Sequence, residues 1–523
     1  MSFKNEMTFL NFKKQGRESE FHEKFEDAVE KVQGRLGRHL PMYIGGRGVK
    51  SGKEFEKRSP VDNRIVLAYL QLGNSSHVSD AVKAAKKAFD EWKALGYQER
   101  ARIVLKAADI MSERKFEIAA MMTLDNGKNR LESVGDVDEA IDYLRYYAYE
   151  ITRNKGYSRK IQGALEGEEV TSVMKPYGVW GVIPPFNFPL AITCGMTTGA
   201  IITGNTVVLK PASDAPMPSY DLYDIFEKAG LPPGVINLIT GPGATTGQPL
   251  IEHPDVMGIA FTGSYAVGSK GYLDFSRNGP KPFISEMGGK NAAIVTSKAD
   301  LDKAAEGVAR GAFGFGGQKC SATSRVIVLK EVKKDFVKKL VEFSKKLKLG
   351  DPREREPFLG PVINEAAWLK YSRAVSDAKK AGKILMGGRR ITQGKMKYGF
   401  YVEPTIVDGL PREHRLNMEE LFVPFLTIIE AKDLKEAIEI ANNVEYGLTG
   451  AIFSRDENEI NKYFDEIEAG VVYANRTVGA TTGAMVGVQP FVGWKHSGST
   501  GKGAGGEFYL PLFLREQAQS RYS

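Results

Sequence analysis

Residues 178–264 read GVWGVIPPFNFPLAITCGMTTGAIITGNTVVLKPASDAPMPSYDLYDIFEKAGLPPGVINLITGPGATTGQPLIEHPDVMGIAFTGS. Four short apolar runs, GVWGVIP, VVLKP, VINLIT and GIAFTG, alternate there with segments of helical composition about ten to fifteen residues long. That rhythm predicts parallel βα units, and so an α/β fold on an open sheet of the kind that holds dinucleotides.

Upstream, residues 1–40 are charged and helix-like, and 42–73 break into short strands and turns. Helices then take over. In VSDAVKAAKKAFDEW, Val82, Ala85, Phe89 and Trp92 recur at steps of three and four, and the same period runs through RIVLKAADIMSERKFEIAAMM and VDEAIDYLRYYAYEI. Downstream of Cys320 a second α/β series follows, with RVIVLK, KILMGG, LTIIEA and LTGAIFS as its strands. The polar stretch 154–177 and the tail after 500 read as an intersubunit ribbon.

The 523 residues are 42% hydrophobic and 26% charged, an ordinary globular balance whose length accommodates about two to four domains. Only two cysteines occur, Cys194 and Cys320, too few for a disulfide framework or a multi-thiolate metal site, which points to a reducing, cytoplasmic setting. The N-terminal stretch lacks an apolar signal core, and no charge-free run is long enough to span a membrane, so neither export nor membrane insertion is expected. The net charge of +8 is dispersed. In its densest run, 330–350, Phe336, Leu340, Phe343 and Leu347 form one helical stripe with lysines opposite, a solvated helix face and not a nucleic-acid groove.

Cys320 stands in GAFGFGGQKCSATSR (311–325), behind Gly311, Gly314, Gly316 and Gly317. Glycines let backbone approach a ligand or reacting carbon, which makes the sulfur a candidate nucleophile; an inert thiol in a packing turn is the other reading. The six histidines, at 22, 39, 77, 253, 414 and 496, sit in charged or turn-like contexts without the Asn or Asp pattern of a cysteine hydrolase. Glu286 in PFISEMGGKNAAIV is a better partner. A carboxyl at the end of an apolar strand has its pKa raised toward neutrality and suits a general base, whereas a capping or lysine-paired glutamate is the alternative. Asn187 in WGVIPPFNFPLAI, flanked by Phe186 and Phe188, is either an oxyanion donor or a turn residue. FTGSYAVG (261–268) follows a strand and opens a helix, so Gly263, Ser264 and the first amides can meet a pyrophosphate. GPGATTG (241–247) competes for that role but has the wrong spacing for the common fingerprint. Lys210 in VVLKPASDAP can hold ribose hydroxyls or phosphate, and Glu420 with Phe422 in NMEELFVPF can take a second ribose and face a nicotinamide. Lys210 and Glu420 each also read as an ordinary strand-end or helix-end charge.

PFNFP, LKPAS, FTGS, EMGGKN, GQKCSA, EELFVP and VEYGLTG occur in this order, and through them the chain resembles the aldehyde dehydrogenase superfamily over nearly its full length. The resemblance implies Cys320 as nucleophile, Glu286 as general base, and Asn187 with the Cys320 amide as oxyanion hole. It assigns Lys210, Ser213, Gly263, Ser264, Glu420 and Phe422 to NAD or NADP and requires no metal. The chemistry it implies is thiolate addition to an aldehyde, hydride transfer to the nicotinamide, and hydrolysis of a thioester by water that Glu286 activates.

QKCSA, TTGAMVGVQPFVGWKHSGSTGKGAG and DVDEAIDYLRYYA look most like the 1-pyrroline-5-carboxylate branch of that superfamily, which oxidises glutamate γ-semialdehyde to glutamate. By that likeness Ser321, Gly483 and Ala484 hold the substrate carboxylate, Phe188 and Phe491 border its chain, and Glu139 meets its amine. Three regions are implied: a Rossmann-type cofactor domain with an N-terminal helical extension (1–155 and 178–286), an α/β catalytic domain (287–495), and a β-ribbon oligomerisation arm (156–177 and 496–523) joining copies into a dimer-based homo-oligomer. Four positions depart from the family pattern. Val423 and Val492 replace glycines usual in EEIFGP and PFGG, Phe186 replaces a frequent Trp, and Ser213 replaces a ribose-binding Glu, so both NAD and NADP are expected to serve.

Overall fold

In the computed structural model, which describes residues 3–277 and 279–522, the alternating run becomes the middle of a seven-stranded sheet. The strand order is Phe283–Glu286, Val256–Thr262, Val179–Ile183, Thr206–Leu209, Ile236–Leu238, Met42–Ile44 and Arg47–Val49. The first five are mutually parallel, and the hairpin 42–49 joins antiparallel at the edge. The chain lays down Val179–Ile183, moves outward through Thr206–Leu209 and Ile236–Leu238, then returns to the other side for Val256–Thr262 and Phe283–Glu286. Connections therefore leave the first strand in opposite directions, which opens a crevice beyond the carboxyl ends of Val179–Ile183 and Val256–Thr262. Asn187 follows one of these strands and Gly263 follows the other.

Helices cover this sheet because their small residues permit close approach. In Ala191–Ile202, Gly195 lies where a Cβ would come within 3.2 Å of the Tyr143 ring, and Gly199 where one would stand 2.7 Å from Phe513. Helix Arg130–Arg153, which carries Tyr143, can thereby pack directly across it.

A buried ion pair joins these pieces. Lys128 Nζ lies 2.5 Å from Asp136 Oδ2, and neither side chain reaches solvent. The other Asp136 oxygen accepts the Ala191 N–H at 2.7 Å, placing negative charge at the positive end of helix Ala191–Ile202. Lys128 Nζ also lies 3.7 Å from the centre of the Phe188 ring and 5.1 Å from that of Phe315. Burial pulls the Lys128 ammonium down and pushes the Asp136 carboxyl up, and their mutual attraction opposes both shifts.

The second sheet runs Lys383–Met386, Thr405–Asp408, Phe425–Ala431, Thr323–Leu329, Asn291–Val295, Thr449–Phe453 and Val471–Ala474, parallel except for its first strand. The four strands expected after Cys320 are present. Asn291–Val295, Thr405–Asp408 and Val471–Ala474 lie beside and between them and were not expected. Helix Lys333–Ser344 buries Phe336 and Leu340, with Phe343 and Leu347 on the same core.

A three-stranded antiparallel sheet combines Ser158–Ile161, Glu168–Pro176 and Leu514–Tyr522, with pairing continuous from Leu514–Pro176 to Tyr522–Glu168. Eight of the nine residues of Leu514–Tyr522 are exposed. Residues 496–513 run elsewhere: Ser499 N–H bonds Ser285 O at 3.1 Å, and Phe513 packs on Trp180 at 4.6 Å between ring centres.

Lys128→Met leaves Asp136 buried without a cation and should cost about 3–5 kcal/mol in urea unfolding. The double change Lys128→Met/Asp136→Leu should recover most of that loss. An unchanged single variant would show that Asp136 is stabilised by something other than Lys128.

Candidate active site

Cys320 is held by a loop whose shape depends on glycine and on buried side-chain amides. Helix Leu301–Phe313 runs into the turn Gly314–Gly317, where Phe315, Gly316 and Gly317 have φ of 48°, 60° and 67°. Left-handed backbone is costly for a Phe, and here surrounding contacts impose it: Phe315 N–H donates to Glu132 Oε2 at 3.0 Å while its ring faces Lys128. A Cβ on Gly317 would stand 2.5 Å from Val423 O. Beyond the turn, Asn291 Nδ2 donates to Cys320 O at 2.7 Å and to Ala322 O at 2.9 Å, while its Oδ1 accepts Thr449 N–H at 3.0 Å. Thr481 Oγ1 donates to Ser321 O at 2.6 Å. Every carbonyl from 320 to 322 is thereby tied to buried groups, which fixes the direction of the intervening amides and of the sulfur.

The thiol is partly exposed and resists ionisation. Burial pushes it up to about 12, with the carboxyls of Glu420 and Glu286 adding to the shift. It therefore rests as a neutral thiol and needs a base. Glu286, at the end of strand Phe283–Glu286, is such a group: burial holds its carboxyl well above the usual range, opposed only by a backbone N–H at Gly493. Its Oε2 is buried without a hydrogen-bond partner. Asn187, 2% exposed, sits beyond the Pro184–Pro185 exit of its strand. Asn126 Nδ2 holds the neighbouring Phe186 carbonyl at 3.3 Å.

Cys320 and Glu286 line one cavity of about 430 Å³ together with Glu139, Phe188, Ser321, Gly483, Ala484 and Phe491, all the residues assigned to substrate from the sequence. Burial, with Asp136 nearby, pushes the Glu139 carboxyl up to about 8. Gly483 has φ of 98°, and its carbonyl accepts Arg476 Nη2 at 2.8 Å. Arg476 and Lys319 also line the cavity, and neither was found from the sequence. Lys319 is adjacent to Cys320 and pairs with Glu132 at 2.6 Å. Arg476 follows strand Val471–Ala474 and carries no pattern of its own.

The crevice at the strand ends holds the other group of residues. Lys210 is 5% exposed, its ammonium donates to Pro211 O at 2.7 Å, and burial pulls it down to about 8. Ser213 Oγ donates to Gly241 O at 3.2 Å. Ser264 is the N-cap of helix Tyr265–Ser276 without a side-chain cap, leaving the first amides for an anion. GPGATTG borders the same crevice: Gly243–Gly247 forms one wide turn, with Gly247 positioned so that a Cβ would lie 3.7 Å from the Lys210 stem. Glu420, half-buried and pushed up to about 7 by burial, accepts Gly289 N–H at 2.9 Å. Phe422, at φ 59°, packs edge-on to Phe186 at 5.7 Å.

The turn Glu286–Gly289 is where crevice and cavity meet. Gly263 N–H donates to Glu286 O at 3.1 Å, a Cβ on Gly288 would overlap the Glu420 carboxylate, and one on Gly289 would stand 2.5 Å from Cys320 O. A desolvated ammonium beyond one strand, an uncapped helix start beyond another and a half-buried carboxylate bonded to the turn that follows a third suit the phosphates and ribose hydroxyls of a dinucleotide. Lys210, Ser213, Gly263, Ser264, Glu420 and Phe422 would hold it.

Residues 48–517 match the model of the aldehyde dehydrogenase family. A 1-pyrroline-5-carboxylate dehydrogenase of Geobacillus sp. (strain WCH70) is 39% identical over 501 residues, 95% of each chain, and that of Bacillus subtilis (strain 168) is 38% identical over the same share. The solved 1-pyrroline-5-carboxylate dehydrogenase from Thermus with bound NAD superposes with a TM-score of 0.94 at 38% identity, covering 100% of this chain and 99% of that one.

A carboxylate at position 213 would repel a 2′-phosphate and accept from ribose hydroxyls; the serine present does neither strongly. Calorimetry should therefore find that both NAD and NADP bind, and that Ser213→Glu weakens NADP about tenfold or more relative to NAD. Equal losses would show that residue 213 does not face the ribose.

Proposed function

The chain belongs to the aldehyde dehydrogenase family, and on that premise we propose that it oxidises L-glutamate γ-semialdehyde to L-glutamate in proline catabolism, with NAD or NADP as oxidant. One observation carries the choice of substrate. A single cavity sets the Glu139 carboxyl and the small-residue loop at Gly483–Ala484, flanked by Arg476 and Lys319, around the same sulfur. A chain bearing an aldehyde, an ammonium and a carboxylate answers all three. An ammonium beside Glu139 would pull its raised pKa back down and hold both groups charged. Backbone amides of the loop suit the carboxylate.

When bound, the dinucleotide supplies the hydride acceptor. The protein supplies the rest. Glu286 takes the Cys320 proton, directly or through water, and the thiolate adds to the aldehyde carbon to form a tetrahedral thiohemiacetal oxyanion. The Asn187 amide and the Cys320 N–H donate to that oxygen, and the buried carbonyl ties of the 320–322 loop keep the donor pre-aimed. Collapse of the oxyanion expels hydride from carbon and leaves a thioester on Cys320. Once Glu286 has passed the Cys320 proton to solvent, it removes a proton from water, the water oxygen attacks the thioester carbon, and sulfur departs as thiolate with release of the carboxylic acid, which ionises in solvent.

The exposed ribbon strand Leu514–Tyr522 has one paired and one open edge, which suits addition to a second copy of the chain. We assign it to a dimer-based homo-oligomer in the cytoplasm, in keeping with two unpaired thiols. Among the described residues no helix is long and apolar enough to cross a membrane.

Cys320→Ala should abolish aldehyde oxidation while leaving dinucleotide affinity intact. Glu286→Gln should give a slowed burst of reduced cofactor, because water must then take the thiol proton, followed by still slower turnover, because thioester hydrolysis has lost its base; complete loss of the burst would show that water does not replace Glu286 in the first step. Since burial raises the pKa of both Glu286 and Cys320, and Glu286 acts as a base only once it has lost its own proton, wild-type turnover should increase with pH from neutral into the alkaline range.

Glutamate semialdehyde should outperform propanal in kcat/KM, because propanal lacks the carboxylate that Ser321 and the amides of Gly483 and Ala484 would bind. Glu139→Ala should impair glutamate semialdehyde more than succinic semialdehyde, which lacks the amine. Equal use of propanal, or equal impairment of both semialdehydes, would remove the substrate assignment and leave the family assignment standing.

A further inference from the structure

The family match begins at residue 48, so the segment Phe3–Thr8 lies outside it. Its polar groups are nonetheless committed to helix Arg130–Arg153, to Lys115 and to the loop at Val486. Thr8 donates through N–H and Oγ1 to the two Asp138 oxygens at 2.8 and 2.7 Å. Glu6 N–H donates to Asp142 Oδ1 at 2.7 Å, and Lys115 Nζ donates to Glu6 Oε1 at 2.8 Å and to Thr8 Oγ1 at 2.7 Å. Asp138 and Asp142 flank Glu139 on helix Arg130–Arg153. The segment is thus laid along the helix that carries the amine-facing carboxyl.

Asn5 reaches further. Its Nδ2 donates one hydrogen to Asp142 Oδ2 at 2.8 Å and the other to Val486 O at 2.9 Å. Both partners are acceptors, so the amide orientation follows from the chemistry. Val486, 4% exposed, is two residues beyond Ala484 and lines the cavity. Phe3 covers the next residue: its ring lies edge-on to Tyr146 at 5.1 Å, and a Cβ on Gly487, at φ 73°, would stand 2.7 Å from it. Between Thr482 and Val486 the chain forms no helix or strand. External ties therefore set where that loop stands.

We propose that Asn5 is a specificity-determining positioning residue: its carboxamide staples the helix bearing Glu139 to the loop bearing Gly483 and Ala484 and so sets the span between the amine and carboxylate ends of the cavity. The kinetic consequence rests on the glutamate semialdehyde reading; the mechanical one does not. A substrate anchored at both ends feels that span, whereas an aldehyde with neither charged group does not.

Asn5→Ala in the full chain tests this. KM for glutamate semialdehyde should rise about tenfold with kcat nearly unchanged, and kcat/KM for propanal should hold within about twofold. Asn5→Asp, which keeps the volume but donates to neither acceptor and sets a carboxylate against Asp142, should be worse. In both variants amide hydrogen exchange should quicken over residues 482–489 and not around Cys320. The exchange readout decides the staple even if the wild-type enzyme prefers another aldehyde, an outcome that would sink the substrate reading alone. Unchanged exchange with unchanged KM would overturn the proposal. So would equal losses on both aldehydes, which would mark Asn5 as a residue of general stability.

Discussion

The Lys128–Asp136 pair is the contact on which the arrangement of the site depends. It has no water to fall back on, so each charge must be satisfied by protein. Asp136 does this by holding the first turn of helix Ala191–Ile202, and Lys128 by facing Phe188, next to Asn187, and Phe315, in the turn that leads to Cys320. One buried charge pair thereby touches both the segment that carries Asn187 and the turn that leads to Cys320. It also anchors the helix that carries Glu139, three residues from Asp136.

Around that pair the site gathers groups whose charged forms burial disfavours: Glu286, Glu139, Glu420, Lys210 and Cys320. Such groups destabilise a fold unless a ligand or a reaction step compensates them. Their grouping along one cavity and one crevice has a chemical meaning. A carboxyl whose pKa is raised is a stronger base once ionised, which is what deprotonation of a thiol and of a water in an addition and hydrolysis sequence requires.

Rigidity is distributed unevenly. The Cys320 loop is tied through Asn291, Thr481 and the tight approach of Gly289. The 482–486 loop has few internal ties and takes its position from Arg476 on one side and Asn5 on the other. The Cys320 loop is thus held by buried groups close around it, while the 482–486 loop takes part of its position from a segment remote in sequence. A cavity built this way can retain its chemistry while its preference for length and charge is adjusted.

The sequence alone determined the alternating strands of 178–264 and the helical period of residues 78–151, and it singled out Cys320, Glu286, Asn187 and the candidate dinucleotide residues. These are properties of windows of a dozen residues, where periodicity, glycine placement and strand-end position are written locally. Tertiary structure decided what depends on distant partners. Lys319 meets Glu132 across 187 positions, Asn291 clamps a carbonyl 29 residues away, and Asn5 reaches Val486 across 481. None of these pairs leaves a periodic trace. Strand Asn291–Val295 was equally hidden. The pKa shifts belong to the same class, since a carboxyl's environment is made by whatever the fold brings against it.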